Sequence, residues 1–102
     1  MWLFVLYDLP TNKAEQRRQA ARFRIQLLKD GFYMFQFSAY ARHCSSVEDA
    51  EVHKKRVRSI LPPEGSVGML LITDKQFGEM EVFYAGCEEQ KPTPPIRQLE
   101  LF

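Results

Sequence analysis

WLFVLY, residues 2–7, is a continuous run of apolar, β-prone side chains closed by Asp8-Leu9-Pro10, where the proline disfavours helix at Leu9. The run reads as a buried central strand followed by a loop. It is too short to cross a bilayer and has neither a basic start nor a small-residue cleavage site, so the reading excludes a signal peptide and a membrane span.

Outward from that strand, residues 12–30 are rich in Ala, Leu, Arg, Gln and Lys, all good helix formers, and Gly31 stands where a helix C-cap belongs. FYMFQFSAYAR at 32–42 is aromatic and extended, one bent strand or two short ones. Its alternation predicts Phe35, Phe37 and Ala39 or Ala41 on an apolar face, with Gln36, Ser38 and Tyr40 opposite. Ser46, three residues before Asp49, opens a second helix that Pro62-Pro63 stops after Leu61. SVGMLLIT at 66–73 is another buried strand, 75–80 a short turn or helix, and 81–85 a further strand. Residues 1–86 thus form the domain, 87–95 a polar, proline-containing linker, and IRQLELF at 96–102 a terminal strand that must find a sheet edge in its own or a partner subunit. The order strand, helix, strands, helix, strand predicts an α+β, ferredoxin-like βαββαβ sandwich, a fold that serves many functions and names none.

The 102 residues suffice for one core and no second domain, and 45% hydrophobic with 26% charged residues excludes a disordered chain. Cys44 and Cys87 lack any metal-ligand spacing and read as free thiols of a reducing cytoplasm. The net charge of +1 divides into +5 over residues 1–60 and −4 over 61–102, which allows a basic surface on one side.

Asp8 directly follows the first strand, where a side chain either projects from a rigid scaffold into a cleft or organises the Leu9-Pro10 turn. One carboxylate per chain builds no two-metal hydrolytic site, so metal binding would require a two-fold axis that brings two Asp8 side chains to one largely hydrated magnesium ion. On the first helix, Lys13, Arg17 and Arg24 run between the apolar strips Ala20, Phe23, Leu27 and Ala21, Ile25, Leu28. Cations in that position would need a carboxylate such as Asp8 or Glu100, or phosphate. Arg18, Arg22 and Lys29 form an outer basic row, either solvated or facing phosphates. His43 and His53 have no acidic companion in a ligand spacing and are assigned to no catalysis; His53 edges the second helix's core.

YDLPT at 7–11, RRQAARFRIQLLKDGF at 17–32, QFSAYAR at 36–42 and LLITDKQFGEM at 70–80, in this order, resemble the Cas-two family of CRISPR-associated proteins, type II members in particular. The resemblance implies a homodimer in which the C-terminal strand is exchanged onto the partner's sheet. It implies that Asp8 is the family's catalytic residue and magnesium ligand, one per subunit, and that Tyr7, Arg17 and Ser38 lie near the cleft or contact nucleic acid. It further implies an adaptation subunit that bridges Cas-one integrase subunits along protospacer DNA, and a metal-dependent endonuclease acting on RNA or DNA. Arg17, Arg18 and Arg22 are then the expected phosphate contacts. A toxin-like ribonuclease of the same small fold is the alternative, and a ligand-sensing module lacks a pocket signature.

Overall fold

The computed structural model describes residues 1–85, so Cys87, the linker and the terminal strand lie outside the described residues. Its elements are β1 (Trp2–Asp8), α1 (Ala14–Lys29), β2 (Tyr33–Gln36), β3 (Ala39–His43), α2 (Val47–Ser59), β4 (Ser66–Ile72) and a short α3 (Asp74–Gly78). The four strands make one antiparallel sheet in the order β2-β3-β1-β4. This is the ferredoxin-like arrangement, with the apolar first strand at the centre and flanked on both sides.

Alternation along β1 divides its side chains between two cores. Leu3 and Val5, with Tyr40 of β3, pack under Phe23 and Leu27 of α1 and Ala50 and Val57 of α2. On the opposite face Trp2 and Phe4 meet Tyr33, Phe35, Ala41 and Ile72, and α3 lays Phe77 over them, stacked on Trp2 at 4.5 Å. The continuous WLFVLY run is therefore explained: both of its faces are covered, at least as far as Val5.

The helix ends follow local chemistry. Gln16 Oε1 accepts from the N–H groups of Asn12 and Lys13 at the start of α1. At its end, Gly31 takes φ +93, and Phe32 N donates to Leu27 O, satisfying the last carbonyls. The Ser46 hydroxyl caps α2 by accepting from Asp49 N at 3.0 Å, and Asp49 Oδ2 accepts in return from Ser45 N.

Three expectations are corrected. Residues 81–85 form no strand: they pair with no edge of the sheet, and Phe83 is left largely in solvent. In 32–42 Phe35 and Ala41 share one face and Tyr40 takes the other, as expected, but Phe37 and Ser38 form the β2–β3 turn, so Phe37 is exposed rather than on the apolar face, and Tyr40 is buried under the helices rather than on a polar face. Only the strip Phe23, Leu27 of α1 faces the sheet, and Ile25 and Leu28 stay exposed, so the cations between the strips are solvated rather than buried. Among the described residues no helix is long and apolar enough to cross a membrane.

Candidate functional site

Asp8 is the last residue of β1, opposite Ser66 of β4, and is exposed. Two-residue periodicity places it on the same face as Phe4 and Leu6, away from α1 and α2. Its position depends on Gly65, which turns the chain into β4 at φ +92; a Cβ there would lie 2.6 Å from Asp8 O and 2.8 Å from Leu9 Cδ2. The backbone at Asp8 is thus held in place at its strand end, and its side chain is open to solvent. A hard, anionic oxygen of this kind fits magnesium, which keeps several of its waters. Among the described residues no three His, Cys, Asp or Glu side chains converge on a metal position.

Tyr7 faces the other way. Its ring packs edge-on against Phe23 at 5.3 Å and lies nearly parallel to Tyr40 at 5.9 Å. Burial, reinforced by Tyr40 and opposed by Arg24, pushes its phenol up to about 12, so it stays protonated at neutral pH. Arg17 Nη1 donates to the carbonyls of Thr11 and Asn12 at 3.0 and 3.2 Å, fastening the loop between Asp8 and α1. Arg18 pairs with Glu15 one turn earlier. Arg22 is exposed and makes no ion pair among the described residues. Ser38 sits in the β2–β3 turn, and its carbonyl accepts from Tyr7 N at 3.0 Å. Tyr7 and Ser38 are therefore joined directly to the strand end that carries Asp8, whereas the arginines belong to the helical layer.

Two features escaped the sequence reading. The first is the exposed Phe37 in that same turn. The second is a cluster around the buried His53, in which His53 Nδ1 lies 2.7 Å from Asp30 Oδ2 and the exposed Arg56 donates from Nη1 to Asp30 Oδ1 at 2.8 Å. His53 Nε2 faces Asp49 Oδ1 at 3.5 Å. The cluster joins the end of α1 to α2, and no local spacing announces Asp30's part in it because His53 and Arg56 are 23 and 26 residues away.

Residues 1–80 match the family model described as CRISPR associated protein Cas2. A protein of Flavobacterium psychrophilum named CRISPR-associated endoribonuclease Cas2 is 53% identical over 102 residues, covering all of this chain and 88% of that one. One of the same name from Parvibaculum lavamentivorans is 49% identical over the full length of both chains. In shape, the chain resembles the crystal structure of Streptococcus pyogenes Cas2 at pH 6.5, with a TM-score of 0.62 and 20% identity over 82% of this chain and all of that one.

Proposed function

This chain belongs to the Cas2 family of CRISPR-associated proteins, and from that premise we propose that it acts in the cytoplasm as a homodimeric nuclease and adaptation subunit. Two copies join, hold nucleic-acid backbone, and bridge Cas-one subunits during spacer acquisition. The paired Asp8 side chains form a magnesium-dependent phosphodiesterase site.

The observation that carries this reading is the placement of Asp8 at the end of the sheet face opposite α1 and α2 that α3 leaves uncovered. α3 shields Trp2 and Phe4, but Leu6 is 44% and Leu70 51% exposed beside them. Covering those side chains with the same face of a second copy makes an isologous interface, and the symmetry axis then repeats Asp8 on each side of it. Two carboxylates and several waters suit a magnesium ion, whose charge lowers the pKa of a bound water and steadies the departing oxygen. This chain's part is to hold the Asp8 carboxylate in place through Gly65 and the Tyr7–Ser38 bond. The relatives' name, endoribonuclease, favours RNA as the strand cleaved.

Asp8→Asn tests the assignment, since the amide keeps the shape and removes the anionic oxygen. Cleavage in magnesium is expected to fall to background, while the dimer and its association with Cas-one persist. Retained cleavage would remove Asp8 from the chemistry; loss of the dimer would make Asp8 a structural group.

A further inference from the structure

A phenylalanine ring in water forgoes most of what its burial would contribute, yet Phe37 is 94% exposed. It does not lie in a frayed end. It occupies the two-residue connection between β2 and β3, bracketed by the pair Gln36↔Ala39. The other connecting residue, Ser38, takes φ 63, the left-handed region that glycine and asparagine enter far more readily than serine. Two-residue hairpins favour turns with positive φ at the first or at both central positions, whereas here only the second has it. Such strain persists where surrounding structure holds it, and it gathers at sites with work to do.

The holding contact is the hydrogen bond from Tyr7 N to Ser38 O, 3.0 Å long. It ties the turn to the strand that ends in Asp8. The β1–β3 register stops at Leu6↔Ala39, and the Tyr7–Ser38 bond carries the link one residue further, so the turn lies at the end of the sheet where β1 reaches Asp8. An uncovered aromatic ring in the β2–β3 turn and an uncovered carboxylate at the end of β1 therefore stand at the same end of the sheet.

We propose that Phe37 is a stacking platform for an unpaired nucleobase, so that the strand presented to Asp8 is single-stranded at that point. The inference rests on the nucleic-acid reading of Asp8 above. A flat, uncharged ring beside a carboxylate built for a metal matches the two halves of a nucleotide, the base and the phosphodiester. Stacking on an aromatic ring tolerates every base. A duplex hides its base faces and gains nothing from Phe37 without unpairing.

The test compares the full-length protein with its Phe37→Ala and Phe37→Trp variants. Each is titrated with a single-stranded phosphorothioate oligonucleotide carrying 2-aminopurine, and with a blunt duplex of equal length. Phe37→Ala is expected to weaken single-strand binding roughly five- to a hundredfold and duplex binding less than about twofold, the range for losing one base–aromatic stack. The wild type and Phe37→Trp are expected to quench 2-aminopurine, and Phe37→Ala is not. Single-strand affinity and quenching unchanged in Phe37→Ala would overturn this inference and leave the role of Asp8 standing. A wild-type protein that binds neither oligonucleotide would overturn both. Equal loss on both oligonucleotides, with Phe37→Ala sedimenting as a smaller species, would assign the ring to the contact between copies and overturn the proposal.

Discussion

Gly65 shows how one backbone position governs the site. At φ +92 any L side chain is strained, and a methyl group would strike the carbonyl of Asp8 itself. Gly65→Ala is expected to destabilise the fold by about 2 kcal/mol, measured by thermal or denaturant unfolding, and to reduce cleavage in the fraction that remains folded. Tyr7 gives a second prediction at this scale. Its phenol titrates near 12 in the folded chain, above the ordinary value of 10, so between those pH values the unfolded chain loses its proton first. Stability should therefore fall as pH rises through that window. Tyr7→Phe should flatten that part of an alkaline unfolding profile, and a profile unchanged by the substitution would remove Tyr7 as the source. The sequence placed Asp8 at the end of the first strand, where the structure has it, whereas the opposite sheet faces taken by Tyr7 and Asp8 needed the register.

Among the elements, α2 is held by chemistry both near and far in sequence. Its cap was legible, because a serine three residues ahead of an aspartate is a local signal. Ser46→Ala should cost about 1 kcal/mol of unfolding free energy. The Asp30–His53–Arg56 cluster was not legible, since only packing brings α1's end against α2's middle; Asp30→Ala should cost about 2 kcal/mol, read by the same unfolding experiment. Ser45 N–H, His53 and Arg42 hold the Asp49 carboxyl below its usual range. The stability it contributes is present above the unfolded carboxylate pKa and lost as pH falls through the folded value. Asp49→Asn should thus shrink the acid limb of the stability profile. The turn at Phe37-Ser38 put Phe37 in solvent instead of on the apolar face, because the letters of 32–42 do not reveal where the chain reverses.

For the molecule as a whole, the basic surplus of the first sixty residues resides mainly on the helical layer, away from the face that carries Asp8. Combining Arg17→Ala, Arg18→Ala and Arg22→Ala should lower affinity for nucleic acid of any sequence and flatten its salt dependence, because fewer counterions are displaced on binding. An unchanged slope would place the phosphate contacts elsewhere. The sandwich was legible because the WLFVLY run, the helix-forming stretch and Pro62-Pro63 each carry a local signal. The element that covers the second face was not, because α3 contributes a single deeply placed ring, Phe77, from a segment of only five residues.

The central place of β1 bears on how the chain leaves the ribosome. The strand made first must wait for β3, and then for β4, before either of its edges is paired. Throughout that interval the most apolar segment of the nascent chain offers open backbone groups to any neighbour, a recognised hazard during synthesis. A stalled polypeptide ending before Ser66 would keep one whole edge of β1 bare, and such fragments should appear in the insoluble fraction or bound to chaperones.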